Sequence, residues 1–179
     1  MGHIKGVGLL TPVKVLRANR ERALEVLPRH LHSYLHEKIL ITNWYPDDDF
    51  MGLIRALIEV IPDPGTDVWE WIGHYAARGD FVDIYSAMIV RGRPAETLRR
   101  YPRTWRLYHD DGVVKVKVRR NGAKLLISQY LVTLEEFCRL QTGHFVKVLE
   151  LAEARDVKVR NTRVASGLEP ASWDVSWSS

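Results

Sequence analysis

The sequence has only one cysteine and no hydrophobic run long enough to cross a membrane. Because Cys138 has no partner for an internal disulfide, a reducing compartment is expected. The apolar stretches are interrupted within about eight residues, whereas a transmembrane helix needs about 20. No secretory leader is apparent before the first apolar segment. These absences predict a cytoplasmic protein.

The sequence also lacks the motifs that identify common enzymes. It contains no serine nucleophile elbow, no phosphate-binding glycine loop and no dinucleotide-binding fingerprint. The acidic run at residues 47–49 is explained by the start of a helix, where negative charge is favourable. Glu135 and Glu136 precede Cys138, and their charges disfavour a reactive thiolate, so a buried structural cysteine is the better interpretation. We therefore predict a protein with no catalytic activity and no cofactor.

The composition indicates one globular domain with a mild positive charge. Of 179 residues, 46% are hydrophobic and 27% are charged, which suffices for a single core over residues 1–179. The 26 basic and 22 acidic side chains give a formal net charge of +4. This excess is compatible with an acidic protein partner, but it makes a nucleic acid an unlikely one.

The N-terminal half has the pattern of a helical segment. Residues 6–16 predict a short extended or irregular opening, because Pro12 interrupts their apolar residues. From Arg20 onward, leucines at three- and four-residue steps predict a core-facing helical stripe over residues 24–35, with Pro28 as a kink or a second helix start. Further helices are predicted at residues 50–60, 65–78, 81–90 and 95–101.

In the second half the hydrophobic period changes to two. Valines at 114, 116 and 118 alternate with basic residues, and Asn121-Gly122 predicts a hairpin turn into a strand at 124–130. Thr133 is the predicted cap of a helix that runs to about residue 154, followed by strands at 157–160 and 173–177. The sequence thus predicts an α+β fold, in which helices cover an antiparallel sheet of about four strands and the N-terminal half is helical.

Two clusters leave other functions open. His30, His32 and His36 include a pair at helical four-residue spacing that suits a metal, but Ser33 follows His32 where a zincin has glutamate. Solvated histidines are therefore the favoured interpretation, with a metal-binding protein as the alternative. The arginines of residues 91–106, interleaved with aromatic rings, are the best candidate for a nucleic-acid site. No recognised nucleic-acid-binding motif accompanies them.

Short motifs in both halves resemble known families. The C-terminal ones are Phe137-Cys138, Thr142-Gly143-His144-Phe145, Leu149-Glu150, the strand at 157–162, Gly167 and Trp173-Asp174-Val175-Ser176-Trp177. They resemble the superfamily that unites haem-nitric-oxide-binding domains, the 4-vinyl reductase domain and the Bet3-like subunits of the TRAPP tethering complex. The N-terminal ones are Gly6, Leu27-Pro28, Trp44-Tyr45-Pro46, Pro102-x-x-Trp105 and Asp111-Gly112. They resemble a paralogous family of myxobacterial proteins.

The resemblance implies helices on an antiparallel sheet, used for ligand sensing or for assembling protein complexes. The chain departs from each family site. Ala165, Ser166 and Ser172 stand near the positions of the 4-vinyl reductase cysteines, and no cysteine precedes Cys138 where acylated tethering subunits have theirs. Residues 116–119 read Val-Lys-Val-Arg instead of the Tyr-Ser-Arg clamp of haem-binding members. Haem is therefore disfavoured.

We predict a non-catalytic bacterial protein that senses a small molecule or interacts with a protein, in regulation or complex assembly. Its ligand is expected to be small and apolar, and the candidate ligand-binding residues are Tyr75, Tyr85, Trp105 and His144. An acidic protein partner is the other expectation, and the candidate partner-binding residues are Arg99, Arg100, Arg103, Lys115 and Lys117. A homodimer is also expected, because aromatics and an open sheet edge favour self-association.

Overall fold

The computed structural model describes residues 2–130, 134–166 and 169–178, apart from the side chain of residue 83. Six α-helices and six β-strands lie in this part of the chain. The helices are α1 (Gly6–Ala18), α2 (Arg20–Val26), α3 (Asp47–Val60), α4 (Val68–Gly79), α5 (Pro94–Tyr108) and α6 (Glu135–Leu151). The strands are β1 (His3–Lys5), β2 (Trp44–Pro46), β3 (Val113–Arg119), β4 (Gly122–Ser128), β5 (Arg155–Arg163) and β6 (Ala171–Ser178).

The predicted fold class is confirmed. The N-terminal half is helical, apart from the short pair β1 and β2, and the second half contains a four-stranded antiparallel sheet in the order β3-β4-β6-β5. The buried apolar side chains of the helices and of the sheet belong to one contiguous cluster. The part of the chain that the structure describes has no helix that is long and apolar enough to cross a bilayer.

Helix α1 occupies the segment that was expected to be extended, so that prediction is wrong. Leu9, Val13 and Leu16 are buried at three- and four-residue intervals, which is the spacing of a helix face. Pro12 lies inside the helix and is also buried. It misled the prediction, because proline more often ends a helix than continues one.

The leucine stripe predicted for residues 24–35 is divided between α2 and a 3₁₀ helix at Arg29–Leu35. Pro28 separates the two segments, as expected. Leu31 and Leu35 are buried, but Leu24 is exposed, because the residues buried in this part of the chain are Ala23 and Leu27, one helical turn apart.

Acidic residues lie at the start of both α3 and α4. Helix α3 begins at Asp47, three residues before the predicted start, so Asp47 and the two carboxylates after it form its first turn, where negative charge is favourable. Helix α4 begins only after Asp67, whose Oδ1 accepts hydrogen bonds from the amides of Trp69 at 3.0 Å and Glu70 at 3.1 Å. This cap explains why α4 starts three residues later than predicted.

The next two predicted helices need correction. Residues 81–90 form a single π-helical turn at Asp80–Ile84 and a 3₁₀ turn at Ser86–Met88. Their apolar residues are consecutive, with Phe81 buried and Val82 exposed, so they do not define one helix face. Helix α5 runs on to Tyr108 instead of ending at residue 101, because buried residues continue at helical spacing past its internal proline.

The predicted hairpin is confirmed, but its turn lies one residue earlier. Arg119 pairs with Gly122, so Arg120 and Asn121 form the turn, and neither has a positive φ. Gly122 is required for a different reason, since a Cβ atom there would lie 2.6 Å from the carbonyl oxygen of Val175 on β6. The helix predicted from residue 133 corresponds to α6, and the predicted cap Thr133 lies outside the described residues.

The sheet has one buried face and one exposed, basic face. Leu125, Ile127 and Trp173 are fully buried beneath the helices. The Trp173 indole Nε1 donates a hydrogen bond of 3.0 Å to Thr142 Oγ1 on α6, which joins this helix to the sheet. Lys115 and Lys117 point to the opposite, solvated face, as the alternation predicted.

Candidate ligand-binding site

Helices α4 and α6 cross at backbone contact. A Cβ atom on Gly73 would overlap the carbonyl oxygen of Leu140, and one on Gly143 would overlap the carbonyl oxygen of Glu70. Glycine is therefore needed at both positions for close approach and not for backbone conformation. The contact holds one side of α4 against α6. Another side, which carries Trp71 and Tyr75, faces α1 and α3.

On that other side lies a cavity of about 350 Å³, which we call the outer cavity. It is enclosed by α1, α3 and α4 and by the loop that follows α3. Its lining residues are Gly8, Thr11, Pro12, Val15, Phe50, Ile54, Leu57, Ile61, Pro62, Asp63, Pro64, Trp71, Ile72, Tyr75, Ala76 and Leu140. A volume and an apolar lining of this kind are typical of small-molecule sites.

Two aromatic side chains of α4 are exposed at the outer cavity. Trp71 and Tyr75 stack one helical turn apart, with ring centroids 5.5 Å apart and an interplanar angle of 9°. Trp71 is 39% exposed and Tyr75 is 50% exposed. Large rings of this type contribute strongly to binding when a ligand removes them from water.

The interior between the helices and the sheet is filled by an aromatic cluster. Its members are Phe81, Tyr85, Tyr101, Trp105, Tyr108, His109, Tyr130, Phe137 and His144. Trp105 stacks on His109 at 4.0 Å, and the Phe81 ring meets the His144 ring edge-on at 5.6 Å. The space left among these rings is an inner cavity of about 40 Å³. It shares the lining residues Phe50, Ala76 and Leu140 with the outer cavity.

A carboxyl group is buried next to this cluster, directly after α4. Asp80 is 8% exposed, and its burial raises the pKa of its carboxyl to about 7. The Tyr108 hydroxyl opposes part of this rise, although it makes no hydrogen bond of ordinary geometry in the described part of the chain. Burial, together with the charge of Asp80, in turn raises the pKa of Tyr108. Near pH 7, Asp80 is therefore divided between its neutral and ionised forms.

The two buried histidines of the cluster differ in their surroundings. His144 Nε2 has no hydrogen-bond partner among the residues described, and burial lowers the pKa of this imidazole to about 3. His109 Nδ1 lies 3.1 Å from the Tyr130 hydroxyl and 3.6 Å from Asp47 Oδ1. Burial and the neighbouring Asp47 raise the pKa of Tyr130. His144 is thus a neutral group throughout the physiological pH range.

The structure separates the four candidate ligand-binding residues. Tyr75 lines the outer cavity, whereas Trp105 and His144 line the inner cavity, and Tyr85 packs on Tyr108 in the aromatic cluster. Trp105 is 3% exposed and its Nε1 donates to the Asp111 carbonyl at 2.9 Å, so it serves the core. Sequence reasoning omitted Trp71, although the aromatic pair of Trp69 and Trp71 was a visible signal.

The five candidate partner-binding residues lie on two elements. Arg99, Arg100 and Arg103 are exposed on α5, and Arg99 and Arg100 both form ion pairs with Glu96. Lys115 and Lys117 are exposed on the outer face of the sheet. Their role in partner binding stays a prediction, as do a homodimer and a cytoplasmic location.

The histidines of the predicted metal alternative do not form a site. The segment is a 3₁₀ helix that ends at Leu35, so His32 and His36 lose the α-helical face on which the hypothesis depended. His32 Nε2 instead lies 2.8 Å from the Leu27 carbonyl oxygen. The described residues contain no group of three potential metal ligands.

Cys138 is buried, as predicted. Burial, with a contribution from the charge of Glu135, raises the pKa of its thiol to about 11. A thiol of this kind is not a nucleophile at neutral pH.

Comparison with known proteins identifies the architecture. No family model matches the chain, and no curated protein matches it. An oxygen-binding H-NOX domain related to soluble guanylate cyclases has a TM-score of 0.69 at 13% identity, over 98% of this chain and 95% of that one. An H-NOX variant from T. tengcongensis has a TM-score of 0.68 at 13% identity, over 98% of each chain. The chain has an H-NOX-like fold.

A third H-NOX structure, from work on the mechanism of H-NOX activation, gives a TM-score of 0.70 at 12% identity, over 98% of this chain and 97% of that one. These matches correct the expected kinship. H-NOX domains belong to a different superfamily from 4-vinyl reductase and Bet3-like proteins, so the assignment to a group that contains those two is wrong. The absence of a matching family model also leaves the myxobacterial resemblance of the N-terminal half without support.

Another matching structure comes from work on haem distortion in the H-NOX family, but the interior of this chain does not fit haem. The inner cavity of about 40 Å³ is far below the roughly 300 Å³ of a small ligand pocket. The face of His109 is covered by Trp105, and the rings of Phe81 and Tyr101 meet His144 edge-on. The outer cavity is larger, but no histidine or cysteine is among its lining residues in the described part of the chain.

Proposed function

We propose that this protein is a non-catalytic sensing domain that binds a small apolar molecule in the outer cavity. The observation that carries the proposal is an apolar space of about 350 Å³, formed where α4 stands apart from α1 and α3. The H-NOX-like fold supports a sensing role by analogy, since fold alone does not determine function. Tyr75 keeps its predicted role as a ligand contact.

The chemistry of the lining defines the ligand class. Most of the lining residues are apolar, and they include Ile54 and Leu57 of α3 and the prolines of the following loop. Burying apolar ligand surface against them, and removing Trp71 and Tyr75 from water, would drive binding. Asp63 is the one charged residue of the lining among those described, and its Oδ1 accepts a hydrogen bond from the Gly65 amide at 2.9 Å.

The proposal is tested with an uncharged probe. Titration with 1-decanol should change the fluorescence of Trp71 in a saturable way. Ala76→Leu places three more carbons in the cavity, so the ligand and the new side chain would compete for the same space. Binding should therefore weaken at least about tenfold, which corresponds to a strain energy of about 1.4 kcal/mol. Ala87→Leu is the matched control, because Ala87 is exposed and does not line the cavity. Folded protein without saturable binding, or equal effects of both variants, would contradict the proposal.

Haem supplies a second test of the same proposal. Titration with hemin should give no stoichiometric complex with the absorption of a histidine-ligated haem, whereas a haem-binding H-NOX domain serves as the positive control. A one-to-one complex that disappears in His144→Ala or His109→Ala would show that the aromatic cluster opens and would overturn our interpretation of the interior.

The basic face of the sheet favours a second candidate function, binding to an acidic protein surface. Its cations are Lys115, Lys117, Arg119, Lys124, Lys158 and Arg160. Lys117 lies directly opposite Lys124, and like charges in that position destabilise a sheet. Asp174, on the next strand, pairs in register with both Lys124 and Arg160. A partner that neutralises this row would relieve the repulsion.

A poly-glutamate peptide is a suitable probe for this candidate function. Its binding should weaken with salt and in Lys117→Gln/Lys124→Gln, while Arg22→Gln on α2 should have no effect. Stronger binding to duplex DNA than to the peptide would favour the nucleic-acid alternative instead.

A further inference from the structure

A second depression adjoins the outer cavity and extends it along α1 and α4. This groove has a volume of about 690 Å³ and is open to solvent. Its lining residues are Thr11, Lys14, Val15, Ala18, Tyr75, Arg78, Gly79 and Val82. Thr11, Val15 and Tyr75 also line the outer cavity, so a molecule lying along α1 can occupy both.

The groove differs from the outer cavity in its charge. Lys14 on α1 and Arg78 on α4 line it from facing helices, and no carboxylate lines it in the described part of the chain. Neither cation belongs to any of the ion pairs found among the described residues. Two uncompensated cations on opposite walls are suited to one anion between them.

The charges also determine the direction in which a ligand would lie. Asp63 lines the outer cavity at the loop of Pro62 and Pro64 and does not line the groove. An anionic group is repelled at that carboxylate and attracted at Lys14 and Arg78. An apolar chain with one acidic end is therefore expected to place its chain in the outer cavity and its acidic end in the groove.

We propose that the ligand is a long-chain carboxylate, held as a single free molecule with its chain in the outer cavity and its carboxylate between Lys14 and Arg78. This inference rests on the proposed function, because it names the class of molecule that the same cavity binds. It adds a head-group site to which neither the fold comparison nor the sequence motifs pointed. Val82, which is 54% exposed, extends apolar surface along the groove beside that site.

The first experiment compares decanoate with 1-decanol by calorimetry, at concentrations at which both are monomeric. Decanoate should bind three- to tenfold more tightly than the alcohol, because the cations act on its charge. Each methylene added from octanoate to dodecanoate should lower the Kd about fourfold until the cavity is full.

The second experiment removes the cations. Lys14→Gln and Arg78→Gln should each weaken decanoate binding about two- to threefold, so that together they remove its advantage over the alcohol, and both should leave 1-decanol binding unchanged. Arg22→Gln, which removes an exposed charge from α2, is the matched control and should affect neither ligand. Both variants change exposed side chains, so folding should be unaffected, and circular dichroism verifies this.

The outcomes distinguish the two levels of the proposal. If both probes bind equally and the double variant Lys14→Gln/Arg78→Gln binds decanoate as the original protein does, the carboxylate site is overturned while the apolar cavity stands. If neither probe binds to folded protein, the proposed function and this inference both fail. Binding to anionic vesicles without binding to monomeric decanoate would overturn the free-molecule ligand in favour of a membrane surface.

Discussion

The two sides of α4 are packed in opposite ways. Toward α6, Gly73 leaves no space even for a methyl group. Toward α1 and α3, the same helix leaves a cavity of about 350 Å³ beside Trp71 and Tyr75. The contrast teaches that the cavity is not a general looseness of the helical half. It is a local feature of the face of α4 that carries Trp71 and Tyr75, next to the backbone contact of Gly73 with α6.

The largest effect on stability is expected from adding a methyl group at the contact between α4 and α6. Gly143→Ala should destabilise the protein by about 4 kcal/mol, because its methyl group would overlap the backbone of α4 and force the helices apart. Urea denaturation followed by circular dichroism measures the change.

Gly79→Ala is the control on α4 itself. A Cβ atom there would lie 3.8 Å from Thr11 Oγ1, an ordinary contact. That change should be neutral or should stabilise the protein by about 0.5–1 kcal/mol. A similar loss in both variants would mean that the crossing of α4 and α6 is not as close as described.

The end of α4 provides the second prediction, through Asp80. Its folded pKa of about 7 lies above the usual value of 3.8, so between about pH 4 and pH 7 the folded state binds more protons than the unfolded state. The stability that Asp80 contributes is complete below pH 4 and is lost as the pH rises through 7. Asp80→Asn should therefore be more stable than the original protein at pH 8, by about 3 kcal/mol.

The measurement for Asp80 is the free energy of unfolding from pH 4 to pH 8 in both proteins. Their difference should grow with pH and level off above pH 7. A constant difference would show that the carboxyl has an ordinary pKa in the folded protein.

The third prediction concerns His144 in the aromatic cluster, whose effect on stability changes with pH in the opposite direction to that of Asp80. Its folded pKa of about 3 lies below the usual 6.5, so the unfolded state binds more protons between these values and stability falls as the pH drops below 6.5. His144→Phe should abolish this loss, and at pH 4.5 its free energy of unfolding should be about 2 kcal/mol higher than that of the original protein. Thermal unfolding at pH 4.5 and 7.5 tests it, and an equal effect at both pH values would refute the buried neutral imidazole.

The smallest effect on stability is expected from a substitution in the outer cavity. Ala76→Leu should fill part of the outer cavity and raise the free energy of unfolding by about 1 kcal/mol. Ala87→Leu should change it by less than about 0.5 kcal/mol. A destabilised Ala76→Leu protein would mean that the cavity is narrower than described, and the loss of ligand binding in that variant would then need another explanation.

Regular local patterns predicted the sheet, but not the site. The alternation of apolar and polar residues around Val116 and Val175 depends only on neighbouring residues, so it predicted the strands and their solvent-exposed face. Pro12 and the proline of α5 misled the helix predictions, because tertiary packing holds both inside helices. The outer cavity depends on the distance of α4 from α1 and α3. The residues of α4 alone do not determine that distance. Tyr75 was chosen as a polar-tipped aromatic expected to face the sheet, but it lines the outer cavity instead, and its role as a ligand contact stays a prediction. Nothing in the sequence distinguishes Lys14 and Arg78 from other surface cations, because they share a groove only when α1 and α4 lie side by side.

The backbone contact of Gly73 and Gly143 has a mechanical consequence. No side chain lies between the two helices at their crossing to absorb a displacement. Helix α6 is joined to the sheet through Thr142 and Trp173. The face of α4 that lines the outer cavity is therefore linked, through one backbone contact and one hydrogen bond, to the strand that carries Trp173.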